Sequence, residues 1–182
     1  MAKWHEEIGE KLRDFILAQR MFFVATAGPE GRVNLSPKGL DGTFAVLGPR
    51  RVAFLNLTGS GNETAAHLRL NNRITLMFCA FSGQPNIVRL YGTGKAIGVG
   101  GHGWDDLSRL FGDLPGKRQI IDVAVDEVVT SCGFGVPLMD FAGQRETLVK
   151  WAENKGDEGV RAYWRDKNAL SFDGLPTGVL GD

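Results

Sequence analysis

Short apolar runs separated by turn residues dominate the chain from residue 21 to about residue 130. The runs "MFFVATA", "RVNLSP", "TFAVLG" and "RVAFLNL" come first, and "NRITLMFCAF", "NIVRLYGTGKAIGV" and "RQIIDVAVDEVV" follow. Such runs, rich in β-branched and aromatic residues and bounded by Gly, Pro and Ser, are typical of strands joined by hairpins. The pattern predicts about six or seven mostly antiparallel strands curled into a barrel or a sandwich, with flanking helices.

Helical periodicity appears at both ends of the chain. An apolar stripe at helical spacing predicts an amphipathic N-terminal helix through Trp4, Ile8, Leu12, Phe15 and Ile16. From about residue 143 onward the pattern predicts two helices broken at Gly156, followed by an irregular tail.

The length of 182 residues and the apolar fraction of 43% favour a single domain with a substantial core. We therefore expect one domain over 1–182, in which 1–20 is the N-terminal helix, 21–135 is the barrel and 136–182 holds the C-terminal helices and tail.

Charge and cysteine content limit the classes of ligand that the protein is expected to bind. Twenty-one basic and twenty-one acidic residues cancel, so we expect no nucleic-acid partner. We also expect no membrane span and no secretory leader, and hence a cytoplasmic protein. Neither cysteine lies in a metal-binding spacing, so no metal site is expected, and Cys132 is interpreted as a buried packing residue. A small-molecule ligand is favoured.

Residues 56–67, "NLTGSGNETAAH", join a strand to a helix and admit two interpretations. Ser60 and Glu63 fit an S-x-x-E capping box, with Ser60 as the N-cap. Alternatively, the glycines allow an oxyanion to approach backbone N–H groups at the start of a helix. The spacing matches neither a Walker loop nor a dinucleotide fingerprint, so the segment alone leaves both interpretations open.

Polar side chains alternate with apolar ones in "RVNLSPKG". Arg32, Asn34 and Ser36 fall on one face of the predicted strand, opposite Val33 and Leu35. Polar groups on one face of a strand in an apolar barrel need partners.

Several other residues are interpreted as structural. We expect His67 and His102 to be surface or capping residues and His5 to lie on a solvated helix face. Gly133 is expected to permit a close chain crossing. The aromatic residues of the C-terminal helices are expected to pack against the barrel or a second subunit.

Taken in order, the segments "SPKG", "TGSGNET", "ITLMFCAF", "RLYGTG", "SCGFGVP" and "DGLPTG" resemble the pyridoxamine 5'-phosphate oxidase-like flavoproteins. The resemblance runs from about residue 5 to residue 180. It implies a split β-barrel homodimer that binds FMN in clefts at the subunit interface. Its implied activity is that of an FMN-dependent oxidoreductase using a small-molecule substrate and NAD(P)H.

The resemblance also implies a set of cofactor-binding residues and no catalytic side chain. Lys38 is expected to be the main charge partner of the FMN phosphate, and Arg32, Arg89 or a residue of the second subunit are the alternatives. The whole implied set is Arg32, Val33, Asn34, Leu35, Ser36, Lys38, Asn56, Thr58, Ser60, Asn62, Thr64 and Arg89.

The chain departs from the vitamin B6 oxidases at two points. It has Asn62, Glu63 and Thr64 where those enzymes carry basic residues, and it ends in "DGLPTGVLGD" where they carry an Arg- and Trp-bearing substrate segment. Pyridoxamine phosphate oxidation itself is therefore not expected. The alternatives are a flavin carrier or sensor without turnover, and a split barrel that binds deazaflavin or haem.

Overall fold

The computed structural model describes residues 2–181, so Met1 and Asp182, the ends of the expected domain, lie outside the described residues. The strands are β1 Lys3–His5, β2 Met21–Ala27, β3 Val33–Gly39, β4 Phe44–Gly48, β5 Arg51–Leu57, β6 Arg73–Cys79, β7 Ile87–Gly98 and β8 Lys117–Ser131. The helices are α1 Glu10–Ala18, α2 Glu63–Leu70, α3 Trp104–Ser108 and α4 Thr147–Tyr163, with a 3-10 turn at Arg109–Phe111 and a π-helical turn at Trp164–Asn168.

All strand pairs are antiparallel, and they follow the order β3-β2-β6-β7-β8-β5-β4, with β1 added beside β8. This topology confirms the prediction of a mainly β split barrel with flanking helices, with eight strands in place of the six or seven expected. The long strands β7 and β8 pair along their lengths at the centre of the sheet. Their two faces carry separate buried clusters, one around Phe54 and Leu90 and the other around Ile120 and Phe111.

The N-terminal segment differs from the predicted helix. The helix α1 begins at Glu10, while Lys3–His5 forms a strand that pairs with residues 128–130 of β8. His5 lies on this strand, where its Nε2 is 3.0 Å from the Thr130 hydroxyl, and not on a solvated helix face. Trp4 is exposed, because strand pairing turns it away from the core that receives Ile8. The apolar spacing was compatible with one helix, but Gly9 and the free edge of β8 favour a strand and a later helix start.

Two glycine predictions on the C-terminal side are confirmed. The backbone of α4 leaves the helical region at Gly156, where φ is 64° and ψ is 170°. At Gly133 φ is 66°, and a Cβ atom would lie 2.8 Å from the backbone nitrogen of Asn86. The chain therefore crosses close to the β6–β7 connection at Gly133.

The central pairing of β7 and β8 depends on another glycine. The register shifts between Tyr91 and Gly92, and a Cβ atom at Gly92 would lie 2.0 Å from the carbonyl oxygen of Ala124. Since the obstacle is backbone, no rotamer change relieves the overlap.

We expect Gly92→Ala to lower the free energy of unfolding by about 1–3 kcal/mol, because β7 and β8 must separate locally to admit the methyl group. The matched control is Gly98→Ala at the end of the same strand, where a Cβ would meet no atom within 4 Å. Urea unfolding of both variants measures the difference. Equal stability of the two variants would contradict the close-approach argument.

Candidate functional site

The cavity that gathers most of the expected binding residues lies between β3, the β5–α2 connection, the start of β8 and the C-terminal segment. We call it the polar cavity, and its volume is about 430 Å³. It is lined by residues 32–38, 56–57 and 59–64 and by His67, Arg118 and Phe172.

Strand β3 forms one wall by the alternation that its sequence predicts. Asn34 is buried and Ser36 and Lys38 are half-buried, while Val33 and Leu35 remain 76% and 64% exposed on the opposite face. The polar side chains of β3 therefore face the protein, and the apolar ones face outward, in the reverse of the usual arrangement for a barrel strand. Arg32 precedes β3 and lies at the rim.

A directed chain of side-chain hydrogen bonds supports Lys38. The Lys38 ammonium group donates to Asn56 Oδ1 at 3.0 Å, and Asn56 Nδ2 donates to Asn62 Oδ1 at 3.0 Å. Asn62 Nδ2 in turn donates to Gln119 Oε1 at 2.9 Å, and Gln119 Nε2 donates to the Thr177 carbonyl oxygen. Since each amide oxygen in this chain accepts and each amide nitrogen donates, Asn56 and Asn62 hold Lys38 in place and satisfy each other.

A second chain of hydrogen bonds leads to His67. Ser36 Oγ donates to Asn34 Oδ1 at 2.8 Å, so the Asn34 amide nitrogen faces the hydroxyl groups of Thr26 and Thr64, at 3.1 and 3.2 Å. The Thr26 hydroxyl is also 3.1 Å from His67 Nδ1. The ring of His67 is 1% exposed, so this histidine is a buried cavity residue, not the surface or capping residue expected from the sequence.

The charge of the cavity is concentrated on Lys38 and Arg118. Burial, followed by repulsion from Arg118, lowers the pKa of Lys38 to about 8. Burial is also the main cause that lowers the pKa of Arg118 to about 10. Arg118 is 2% exposed, and its Nη1 donates to the Gly61 carbonyl oxygen and to Asn168 Oδ1 at 3.0 and 2.8 Å. Neither cation forms an ion pair within the described residues 2–181.

Two nitrogen atoms at the polar cavity have no hydrogen-bond partner. Among the buried side-chain polar atoms of the described part of the chain, only His67 Nε2 and Arg118 Nε are unpartnered. Both residues line the polar cavity. Because an unmade hydrogen bond in a buried position is costly, a group that satisfies both atoms would be strongly favoured there.

The helix α2 begins later than the capping-box pattern suggested. Asn62 is its N-cap residue and makes no side-chain capping bond, so Ser60 is not the N-cap. The Glu63 carboxylate accepts a hydrogen bond from the backbone N–H of Phe172 at 2.9 Å. Through this hydrogen bond Glu63 holds the C-terminal segment against the start of α2. The Asn62 side chain makes no capping bond because it is already hydrogen-bonded to Asn56 and Gln119.

The C-terminal segment closes one side of the polar cavity. Arg32 donates to the Asp173 carboxylate through its backbone N–H, at 2.8 Å, and through its guanidinium group. The Phe172 ring lies over Gly61, where an added Cβ would meet it at 3.2 Å. The residues "FDG" thus occupy the rim between β3 and α2.

Two of the expected binding residues lie elsewhere. Thr58 accepts a hydrogen bond from Trp164 Nε1 and donates to the Gly116 carbonyl oxygen, and it lines a neighbouring cavity. Arg89 donates to Ser131 on β8 and lines neither cavity. The other expected residues are at the polar cavity: Arg32, Val33, Asn34, Leu35, Ser36, Lys38, Asn56, Ser60, Asn62 and Thr64.

Sequence analysis did not identify Arg118 and His67 as site residues. One indication for Arg118 was available, since an arginine at the start of the buried strand "RQIIDVAV" needs a partner. No comparable indication existed for His67, whose role depends on Thr26, 41 positions away in the chain.

The neighbouring cavity, which we call the aromatic cavity, is larger, at about 820 Å³. Its aromatic lining residues are Phe141, Trp151 and Tyr163. It shares Pro37, Lys38 and residues 57, 59 and 60 with the polar cavity. The end of β3 therefore forms a common boundary, with Lys38 accessible from both sides.

The structure also shows the surroundings of Cys132 and of the remaining groups that could bind a metal ion or cross a membrane. Cys132 is exposed, in contrast to the buried packing residue expected, because the chain leaves the sheet after Ser131. Residues 2–181 contain no group of three or more His, Cys, Asp or Glu side chains arranged to hold a metal ion. Across these same residues, every helix is too short or too polar to cross a membrane.

Comparison with known proteins identifies relatives along most of the chain. Residues 8–132 match the family described as pyridoxamine 5'-phosphate oxidase. The chain is 41% identical over 195 aligned positions to the pyridoxamine 5'-phosphate oxidase family protein ustO of Aspergillus flavus, covering 97% of this chain and 78% of ustO. These matches confirm the resemblance inferred from the motifs.

Solved structures share the fold at low sequence identity. HupZ from group A Streptococcus aligns with a TM-score of 0.54 at 18% identity, covering 66% of this chain and 91% of that one. An FMN-binding protein from Syntrophomonas wolfei aligns with a TM-score of 0.51 at 16% identity, covering 72% of this chain and 87% of its own. At these identities the likeness establishes the fold alone.

The lowered pKa of Lys38 predicts a pH-dependent stability. Between pH 8 and about 10 the folded protein releases the Lys38 proton while the unfolded chain keeps it, so the free energy of unfolding should rise with pH. Relative to Lys38→Met, wild type should gain about 1–3 kcal/mol across that interval. Urea unfolding at pH 7.5 and 9.5 measures this difference, with the exposed Lys95→Met as the surface-charge control. A constant difference between wild type and Lys38→Met would contradict the burial of the ammonium group.

Proposed function

The chain belongs to the pyridoxamine 5'-phosphate oxidase family, and from that membership we propose that it is an FMN-dependent oxidoreductase, with the flavin held in the polar cavity at a homodimer interface. The observation that carries this proposal is the pair of cations at the polar cavity, Lys38 and Arg118, which lack a carboxylate partner among residues 2–181. An anionic ligand such as FMN would supply the missing counter-charge.

The remaining lining of the cavity suits the rest of a flavin mononucleotide. Strand β3 offers backbone groups next to the outward-facing Val33 and Leu35, and Ser36 and Ser60 offer hydroxyl groups. In this proposal the binding set is the expected one without Thr58 and Arg89, with Arg118 and His67 added. Asn34, Asn56 and Asn62 act mainly by holding other side chains in position.

Bound FMN would supply the hydride and electron chemistry, so the chain needs no nucleophile or general base of its own. The protein's task is to bind and orient the cofactor and to admit a second reactant. The aromatic cavity adjoins the polar one at Lys38 and has an apolar, aromatic lining, which suits the organic substrate or the nicotinamide of NAD(P)H.

The C-terminal segment argues against pyridoxamine phosphate as the substrate. Asp173 uses its carboxylate on Arg32, and Phe172 covers Gly61, so this segment secures the wall of the cavity. It brings no arginine to the rim that could grip a substrate phosphate, since "FDGLPTGVLG" contains no basic residue. We therefore propose oxidation or reduction of a different small molecule.

A homodimer is supported by the outward face of β3. This strand ends the sheet order, so one backbone edge is open, and it exposes Val33 and Leu35 beside that edge. Exposed apolar residues on an open edge strand promote aggregation, and the same surface of a second, twofold-related subunit would cover them. Because β3 also forms a wall of the polar cavity, dimerisation would bring the partner to the flavin.

The purified protein is expected to show flavin absorption between 300 and 600 nm at about one FMN per subunit, or to acquire it when FMN is added. Addition of NAD(P)H should bleach these bands. Stable flavin bands that neither NAD(P)H nor an organic donor bleaches would favour the carrier or sensor alternative. Failure to take up FMN, together with uptake of deazaflavin or haem, would overturn the proposal.

The dimer has its own test. We expect Leu35→Glu to shift the protein from dimer to monomer in sedimentation velocity, because the carboxylate would be desolvated at the interface. The control is Leu110→Glu, which charges an exposed leucine in the 3-10 turn at Arg109–Phe111. A dimer that persists unchanged in Leu35→Glu would rule out β3 as the interface.

A further inference from the structure

The break in α4 builds one wall of the aromatic cavity. Trp151 and Tyr163 lie on opposite sides of Gly156, and an unbroken helix would separate them by about 18 Å along its axis. Because the backbone leaves the helical region at Gly156, the two rings meet edge to face, with their centroids 5.0 Å apart. The Lys155 ammonium group packs over both rings, 5.4 and 6.0 Å from their centroids. The two halves of α4 thus join into one aromatic surface at the cavity.

Aliphatic side chains line another part of the aromatic cavity. Leu55 and Leu57 come from β5, Met21 is the first residue of β2, and Leu148 lies in the first turn of α4. With the aromatic wall, these side chains make a surface that suits the flat, apolar body of an organic molecule. The volume of about 820 Å³ is typical of small-molecule pockets.

The charged side chains that line the aromatic cavity are all basic. They are Arg20, Lys38 and Arg145, and no aspartate or glutamate of the described residues joins them. Lys38 lies at the boundary with the polar cavity, where it donates to Asn56. Arg20 and Arg145 do not line the polar cavity, so their charge belongs to the aromatic cavity.

Arg145 is a cation without a carboxylate partner. Glu146, its neighbour in sequence, is paired with Lys150. Asp41 lies 3.6 Å from the Arg20 guanidinium group. Arg145 itself forms no ion pair with any residue in the described part of the chain. Its guanidinium group is exposed at the cavity and available to an anionic ligand.

The balance of charge at the cavity favours a ligand with a single negative charge. The Asp41 carboxylate offsets the charge of Arg20, whose guanidinium group also lies 4.9 Å from the centre of the Phe141 ring. Arg145 is left as the uncompensated cation. A carboxylate monoanion matches this charge, whereas a phosphate monoester carries nearly two negative charges at neutral pH.

We propose that the aromatic cavity binds an aromatic carboxylic acid, with its ring against Trp151 and its carboxylate on Arg145. This proposal names the substrate class of the proposed oxidoreductase and rests on that function for its biological meaning. Binding itself requires only the cavity, so it can be measured separately from flavin uptake and turnover.

The test uses 2-naphthoate and its neutral amide, 2-naphthamide, which share a ring system and differ in charge. Calorimetry is done on the protein as purified and again after saturation with FMN. In wild type, naphthoate should bind at least about fivefold more tightly than naphthamide. In Arg145→Gln, the Kd for naphthoate should rise about 5- to 20-fold while the Kd for naphthamide stays within about twofold.

The controls address folding and surface charge. Because Arg145 is exposed and pairs with no carboxylate, Arg145→Gln should unfold in urea as wild type does. Arg109→Gln removes an exposed arginine that lines neither cavity, and it should leave both naphthyl affinities unchanged.

The ring contact has a separate variant. Trp151→Leu keeps an apolar side chain and removes the aromatic surface, so it should weaken naphthoate and naphthamide by a similar factor, about 3- to 10-fold. The ratio of the two affinities should therefore stay as in wild type. Trp4→Leu, which replaces an exposed tryptophan on β1, is the matched control and should change neither.

The outcomes separate this proposal from the proposed function. Equal affinities for naphthoate and naphthamide in wild type, or an unchanged naphthoate affinity in Arg145→Gln, would overturn it. If Arg145→Gln instead raised the NAD(P)H concentration needed to bleach the flavin, Arg145 would serve the hydride donor and the proposal would be wrong. Charge-selective naphthoate binding by a protein that takes up no flavin would support the carboxylate site while the proposed function fails.

Discussion

The burial of two cations without a carboxylate partner is the constraint on which the site depends. Lys38 and Arg118 are held close enough that Arg118 contributes to lowering the pKa of Lys38, and burial weakens the charged form of both. Hydrogen bonds to both groups offset part of this cost, and either loss of the Lys38 proton or a bound anion would reduce it further. Burial of these two groups is therefore a cost to the stability of the folded protein that an anion bound in the polar cavity would reduce.

The split barrel supplies the means to hold these groups in place. Strand β3 turns its polar face inward, β8 contributes Arg118 and Gln119 at its first residues, and α2 places His67 behind the cavity. Two chains of hydrogen bonds join these elements, one ending at the Thr177 carbonyl oxygen and the other at His67. Because each amide in the chain from Lys38 to Gln119 has a single satisfied orientation, protein contacts alone hold the Lys38 ammonium group in place.

Family membership accounts for the fold, and the contacts in this structure show which groups surround the charged end of the polar cavity. The turn after β5 carries Asn62 and Glu63, whose side chains serve the amide chain and the C-terminal segment. The positive charge comes instead from Arg118, which lies 57 positions after Gly61 in sequence and contacts its carbonyl oxygen. A neighbouring strand of the same sheet thus brings a basic residue to this turn.

The sequence by itself determined the antiparallel strands, the inward polar face of β3 and the helix break at Gly156, because each depends on alternation or on a local backbone preference. It also identified the family through motifs in order along nearly the whole chain. Only the tertiary structure decided that Lys3–His5 pairs with β8, that His67 is buried and that Arg118 reaches the cavity. These features depend on contacts between residues far apart in the chain, and local periodicity carries no information about which distant group will supply a hydrogen-bond partner.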